Sequence, residues 1–111
     1  MRIVKSLVLG LLLMASVSVF AQDLNPKQKE KVTAEVEQMS QVMELSKSEK
    51  AKVLEIKMEQ AVEGNKIQKT TEKGSAERKE AYQALGKKYN LKLKEAVSKE
   101  QWKKWLSRPK N

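Results

Sequence analysis

The chain is 111 residues long and contains neither histidine nor cysteine. It therefore lacks the usual general base at neutral pH and the strongest nucleophile, so we predict that it is not an enzyme and holds no cofactor or metal. Its 23 lysines and arginines exceed its 14 aspartates and glutamates, and the net charge of +9 predicts an acidic or anionic partner.

The first 21 residues have the pattern of a signal peptide. Arg2 and Lys5 precede an apolar stretch at 7–19, and Val19 and Ala21 stand at the positions that a signal peptidase reads. Because roughly 18 residues are needed to span a bilayer, a retained anchor is the less favoured alternative. We expect cleavage after Ala21, which leaves a periplasmic single domain of residues 22–111 and makes nucleic acid an unexpected partner.

The first helix is predicted at residues 26–43. Leu24 precedes Asn25, an N-cap whose side chain can accept from the backbone of Gln28, while the Gln28 side chain reaches back to Asn25. Pro26 suits the first helical position. The apolar residues recur at steps of three and four and form one stripe: Val32, Val36, Met39 and Met43.

The second helix, predicted at residues 47–69, is the element around which the chain is organised. Leu45, Ser46 and Glu49 form a second capping box at its start. A helix with two apolar faces needs more than one neighbour. Here the faces lie nearly opposite each other, the first with Ala51, Leu54, Met58 and Ala61 and the second with Val53, Ile56 and Ile67.

A domain of about 90 residues has a thin core, so the second face is expected to need a partner. We predict that it binds either unfolded polypeptide or a second copy of the chain, which makes a homodimer the expected assembly. The residues of this candidate client or dimer surface are Val53, Ile56, Ile67 and Leu91.

The third helix is predicted at residues 76–96, with Ser75 as its cap. Gly86 lies beside its apolar stripe and could permit the close approach of another helix, at a cost in helix propensity. The stripe itself is the most regular in the chain and is favoured as core over a ligand platform: Tyr82, Leu85, Tyr89, Leu93 and Ala96.

The fourth helix is predicted at residues 99–106. Val97, Ser98 and Gln101 form a third capping box of the same kind. Two readings of the residues that follow are open. They could bind an anionic membrane surface, or the tryptophans could close the end of the helical bundle, which is the favoured reading. The candidate surface-binding residues are Trp102, Lys103, Lys104, Trp105 and Arg108.

The predicted fold is therefore all-α. We expect a small antiparallel helical hairpin or bundle of three long helices with a short C-terminal helix, preceded by the signal peptide.

Two of the helix starts resemble a family pattern. Val97-Ser98-Lys99-Glu100-Gln101 is similar to the LTxxQ motif that occurs twice in small exported helical proteins of the Spy and CpxP type, and Leu45-Ser46-Lys47-Ser48-Glu49 matches it with glutamate in place of glutamine. The resemblance covers residues 45–106. It implies a helical hairpin that often dimerises into a curved cradle, with structural capping as the role of the motif residues Leu45, Ser46, Glu49, Val97, Ser98 and Gln101.

The resemblance also implies a function. Members of the family hold unfolded polypeptides without ATP or restrain an envelope-stress sensor, and we expect the same class of function here. Relatives that respond to zinc or copper use histidine or cysteine, which this chain lacks. The alternatives are a binder of anionic lipid or lipopolysaccharide and a structural adaptor dedicated to one partner.

Overall fold

The structure, a computed structural model, describes residues 24–109, so the predicted signal peptide at 1–21 lies outside the described part. In this part the regular elements are α1 (Pro26–Met43), α2 (Lys47–Thr70), α3 (Ala76–Ala96) and α4 (Lys99–Leu106). All are α-helices, which confirms the all-α class. Their bounds coincide with the ranges expected from the sequence, except that α2 ends one residue later.

Local hydrogen bonds fix the starts of α1, α2 and α4. In each case the side chain of the cap residue accepts from the N–H three residues later, and the side chain of that later residue accepts from the N–H of the cap. Such a cap typically contributes about 1 kcal/mol. The pairs are Asn25 with Gln28, Ser46 with Glu49, and Ser98 with Gln101.

The turn between α2 and α3 folds the chain back on itself. Gly74 has a φ of +80°, a left-handed conformation that a glycine adopts without steric cost. Arg78 in the first turn of α3 donates to the backbone oxygens of Thr71, at 2.7 Å, and Gln68, at 2.8 Å. These bonds satisfy carbonyls near the end of α2, so the arginine ties α3 to the helix it follows.

On one side, α2 packs antiparallel to α1. Near the start of α1, the Gln28 side chain donates to Asn65 Oδ1 at 2.7 Å, late in α2. Further along α1, Glu35 pairs with Lys57, which lies earlier in α2. Residues later in α1 therefore meet residues earlier in α2, as expected for neighbours joined by a short loop.

On its other side, α2 packs antiparallel to α3. Lys88 Nζ lies 3.1 Å from Glu63 Oε1, and Lys92 Nζ lies 3.1 Å from Glu59 Oε1. Both lysines also lie over the ring of Tyr89, with Nζ 5.4 Å and 4.9 Å from its centroid. Although burial opposes it, Lys88 holds the pKa of Glu63 below its usual value. The helix α2 is therefore the middle element, with α1 and α3 on its two sides.

The second apolar face of α2 is covered by the chain's own helices. Val53 is 0% exposed and Ile56 is 6% exposed, so the prediction that they form a client or dimer surface is wrong. The reason is the turn at Gly74, which brings the apolar stripe of α3 onto this face. Both residues lie in the main buried cluster: Val36, Met39, Met43, Val53, Ile56, Leu85, Tyr89, Leu93, Trp102 and Trp105.

The remaining two residues of that predicted surface differ from each other. Ile67 is half-buried and packs against the same cluster, so it is also part of the intrachain packing. Leu91 is 60% exposed on the outer side of α3. An isolated exposed leucine is ordinary on a protein surface and does not make a binding face.

The two tryptophans of α4 close the end of the core. Trp102 and Trp105 are each 9% exposed and belong to the cluster that α1, α2 and α3 form. The less favoured reading, in which they bind a membrane surface, is therefore wrong for the two tryptophans, because their rings pack against the apolar side chains of this chain. The favoured reading, in which they close the end of the bundle, agrees with this burial.

Two of the basic residues beside the tryptophans have partners within the chain. Lys103 and Lys104 are exposed, and Lys104 Nζ lies 2.6 Å from Glu44 Oε2. This hydrogen bond raises the pKa of Lys104 and lowers that of Glu44. The Arg108 guanidinium lies 3.5 Å from the ring centroid of Trp105. Lys104 and Arg108 thus have partners within the chain.

We expect Ile56→Ala to lower the free energy of unfolding by about 2–5 kcal/mol, because truncation of a buried side chain leaves a cavity. The control Leu91→Ala, on the exposed side of α3, should change it by less than about 0.5 kcal/mol. Urea unfolding followed by circular dichroism measures both. Ile56→Val, with an expected loss of about 0.5–1.5 kcal/mol, keeps the test measurable if the alanine variant unfolds. Equal effects at both positions would contradict the burial of this face.

Burial, together with the carboxylates of Glu63 and Glu59, raises the pKa of Tyr89 above its ordinary value of 10.0. Since the fold keeps this phenol neutral, its stabilising contribution is complete below about pH 10 and is lost as the pH rises toward the folded-state pKa. In an ultraviolet titration, phenolate absorption from Tyr89 should appear late, as the chain unfolds. Tyr89→Phe should remove the late component and Tyr82→Phe should leave it in place; the reverse pattern would refute the assignment.

Candidate functional site

A groove runs along α2 between the walls formed by α1 and α3. It exists because both outer helices pack mainly on α2 rather than on each other. Its volume is about 350 Å³ and it is open to solvent. The lining residues come from all three long helices: Gln28, Lys31, Val32, Glu35, Lys57, Gln60, Ala61, Gly64, Asn65, Gln68, Tyr82, Leu85 and Gly86.

The floor of the groove includes two small residues of α2, and its walls carry apolar groups. Ala61 and Gly64 lie in the floor, while Val32 of α1 and Leu85 of α3 contribute apolar surface from opposite walls. Tyr82 donates its hydroxyl to the backbone oxygen of Gly64 at 3.3 Å, which fixes the ring at the edge of the floor. The groove thus combines apolar side chains and small floor residues with amides and charged groups.

Two glycines in helix interiors line the groove, and the chain's own packing requires neither. A Cβ at Gly64 would lie 3.8 Å from Tyr82 Cε1 and 4.0 Å from Leu85 Cδ2, which are ordinary contacts. A Cβ at Gly86 would meet no atom of the described chain within 4 Å. Each glycine costs about 1 kcal/mol of helix stability relative to alanine. The open space above them is therefore kept at the expense of stability.

Amide side chains stand at one end of the floor. Asn65 donates to Gln28 Oε1 at 3.2 Å and accepts from its Nε2 at 2.7 Å, so the two amides pair between α1 and α2. Gln60 Oε1 is buried and has no hydrogen-bond partner in residues 24–109.

The charged groups at the groove partly neutralise each other. Lys57 of α2 pairs with Glu35 of α1 across the junction of the two helices. Lys31 lies beside them on the α1 wall and is exposed. The remaining polar lining consists of amides and the Tyr82 hydroxyl, which are uncharged, so the groove itself carries a small positive charge.

A second cavity of about 410 Å³ lies on the opposite side of the α2 and α3 junction. Its lining is mostly charged, and the Glu59 to Lys92 ion pair lies within it. Within residues 24–109, no group of three acidic side chains is placed to hold a metal ion. This cavity is a solvated ionic seam between two helices, and it lacks the apolar walls of the groove.

The motif residues of the predicted LTxxQ pattern lie away from the groove. Ser46 and Ser98 cap α2 and α4, and Leu45 and Val97 are half-buried against the main core. The last residues of the two motifs are in contact, since Gln101 Nε2 donates to Glu49 Oε1 at 3.2 Å.

The backbone N–H of Ser46 and then Gln101 lower the pKa of Glu49. These residues therefore join two helix starts and leave the groove free.

None of the four residues of the predicted client or dimer surface lines the groove. Of the groove residues, sequence reasoning marked Gly86 as a point where another helix could approach. Nothing in the sequence marks Gly64 as part of a groove, because periodicity does not show which side of a helix its neighbours leave open. The pairing of both glycines on one groove required the structure.

In residues 24–109, no helix combines the length and apolarity needed to cross a bilayer. Comparisons of this chain with protein-family models, with curated proteins and with solved structures find no match. The similarity to the Spy and CpxP type rests on the helix-start patterns alone.

We expect Gly64→Ala and Gly86→Ala each to raise the free energy of unfolding by about 1 kcal/mol, because alanine favours the helix and its Cβ fits at both positions. Gly74→Ala is the control and should destabilise the chain, since its φ of +80° strains any side chain. Urea unfolding of the three variants tests this. Destabilisation by both helix substitutions would show that the glycines serve intrachain packing.

Proposed function

We propose that this protein is an exported, Spy- and CpxP-like helical binding protein that holds segments of unfolded polypeptide in the groove between α1 and α3. It works without ATP, as a periplasmic chaperone or envelope-stress factor. The observation that carries the proposal is the pair of helix-interior glycines, Gly64 and Gly86, that keep an apolar groove open although the fold would be more stable with alanine there.

The character of the groove supports reversible binding of varied segments. Its walls present half-buried apolar side chains such as Val32 and Tyr82, and its rim is charged and amide-rich. A shallow trough of this kind gives modest apolar contact, and lysines around it steer a chain of opposite charge toward it. Weak contact and fast association allow release without the hydrolysis of a nucleotide.

The proposed binding surface replaces the one expected from the sequence. Val53 and Ile56 would have to leave the core to meet a client or a second copy. For the same reason these two residues cannot form the interface of the predicted homodimer, and the groove proposed here is formed by a single chain. The thin core that suggested dimerisation is completed by the tryptophans of α4 instead.

The proposal includes the signal peptide at residues 1–21 and the periplasmic location. Its support is the sequence pattern of residues 1–21, and the packing of Leu24 is compatible with it. Leu24 is 5% exposed and packs with Met58 and Val62, so cleavage after Ala21 would leave the whole described domain intact.

The alternative of an envelope-surface binder draws less support from the structure. That alternative requires Trp102 and Trp105 to act as anchors at the membrane interface, but both rings are buried in the bundle. The alternative of an adaptor dedicated to one partner uses the same groove as the chaperone proposal, and only the range of partners separates them.

We expect the mature chain at near-stoichiometric amounts to suppress the aggregation of two unrelated proteins diluted from denaturant, without added nucleotide. Light scattering measures this. Gly86→Leu should abolish the suppression, because a Cβ there has open space around it and the larger side chain would occupy the groove. Ala84→Leu adds the same side chain at an exposed position outside the groove lining and should keep full activity.

Two outcomes would contradict the proposal. If Gly86→Leu suppresses aggregation as well as the unchanged chain does, polypeptide does not bind in the groove. If the unchanged chain suppresses no aggregation but copurifies with one species, the protein is a dedicated adaptor.

A further inference from the structure

We propose that the preferred occupant of the groove is an acidic amphipathic helix presented by another protein. This inference rests on the proposed function and deepens it by naming the class of segment that binds best. Three features carry it: the shape of the groove, the charge along its two walls, and the way the chain holds its own short helix α4.

The shape of the groove suits a helix. Its lining on α1 runs from Gln28 to Glu35, about two helical turns. Helices pack with their axes about 8–10 Å apart, and small residues at the contact allow the closer end of this range. Gly64 in the floor and Gly86 in one wall provide such contacts. A fourth helix laid along α2 would then touch all three long helices.

The charge along the walls is of one sign. Lys31 on α1 and Gly86 on α3 line the groove, and on each wall helix a stripe of residues at steps of three and four passes through that residue. Neither stripe contains an acidic residue. All members are exposed except Gly86: Lys27, Lys31, Ala34, Gln38 and Gln41 on α1, and Lys79, Gln83, Gly86, Asn90 and Lys94 on α3.

The one acidic residue in the groove lining does not offset this charge. Glu35 pairs with Lys57, so the two side chains neutralise each other. A segment lying in the groove therefore meets uncompensated lysines on both flanks. Glutamate or aspartate on the two sides of its apolar stripe would pair with them, and lysine there would be repelled.

The helix α4 shows that these three helices can hold a fourth one. It packs on α1, and its two tryptophans enter the cluster formed with α2 and α3. Its attachment combines an apolar face with polar bonds at the edges, of which Gln101 to Glu49 and Lys104 to Glu44 are two. The groove offers an amphipathic helix the same combination, with basic groups on the side of this chain.

Charge also favours an acidic helix over a second copy of this chain as the ligand of the groove. The full chain has a net charge of +9, so another copy would bring positive charge to positive walls. Its large exposed apolar residues in the described part are Leu91 on α3 and Leu106 on α4, which lie on different helices. Neither helix offers a continuous exposed apolar stripe that would fit the groove.

The test uses fluorescently labelled synthetic peptides about three heptads long, with leucine at the a and d positions. One carries glutamate at the flanking positions and its partner carries lysine there. Anisotropy should show that the glutamate peptide binds the mature chain more tightly and that its affinity falls as salt is added. Circular dichroism should show a gain of peptide helix on mixing.

Matched variants locate the charge effect. Lys31→Glu combined with Lys79→Glu reverses one lysine on each wall and should weaken binding of the glutamate peptide about tenfold. Lys99→Glu combined with Lys103→Glu makes the same change in net charge on α4, outside the groove, and should leave binding nearly unchanged. All four lysines are exposed, so the variants are expected to fold.

Several results would overturn the inference. If the two peptides bind with equal affinity, the wall lysines do not select an acidic segment. The same conclusion follows if the two double variants lose equal affinity for the glutamate peptide. If the peptide binds without gaining helix, the segment held in the groove is not helical. Phosphatidylglycerol vesicles that bind in a Lys31- and Lys79-dependent way, with no peptide binding, would identify a lipid surface as the ligand.

The outcomes also separate this inference from the proposed function. If both peptides bind equally and Gly86→Leu abolishes binding of both, the groove still holds polypeptide and only the preference for an acidic helix fails. If no peptide binds and Gly86→Leu leaves aggregation suppression unchanged, the proposed function fails with it.

Discussion

The fold depends on one constraint: α2 is apolar on two opposite sides, and both sides must be shielded from water. The chain meets this constraint by placing α1 on one side and α3 on the other, with Val53 and Ile56 enclosed. Because the outer helices are each held by α2 more than by one another, they stand as two walls on a common floor. The core and the groove are thus two consequences of the same arrangement, and a third helix packed against both walls would have removed the groove.

Local features of this structure could be predicted from sequence because they depend on a few adjacent residues. A capping box needs only two side chains three positions apart, and Ser46 with Glu49 or Ser98 with Gln101 is visible in the sequence. The apolar stripe of α3 follows from its regular spacing. These signals place the helix starts and the buried face of each helix without any knowledge of the neighbours.

The pairing of faces could not be predicted in the same way. Helical periodicity shows that Val53 and Ile56 share a side, but it does not show whether α3 or another molecule covers that side. The answer depends on the turn at Gly74 and on Arg78, which binds the last carbonyls of α2 and directs α3 back along it. Such a turn acts across several residues of loop, and its direction is not encoded in the spacing of apolar residues. The groove was missed for the same reason, since it is defined by which surfaces the neighbours leave uncovered.

The capping residues have a second role that bears on the family resemblance. Gln28 completes a cap on α1 and also pairs with Asn65 of α2, while Gln101 completes a cap on α4 and also bonds Glu49 of α2. Each box thus fixes a helix start and attaches it to the central helix. A pattern of this kind specifies how short helices are joined, so it can recur wherever the same architecture is needed. What the protein binds is determined elsewhere, by the glycines in the groove and the lysines beside it, and these residues can change without disturbing the caps.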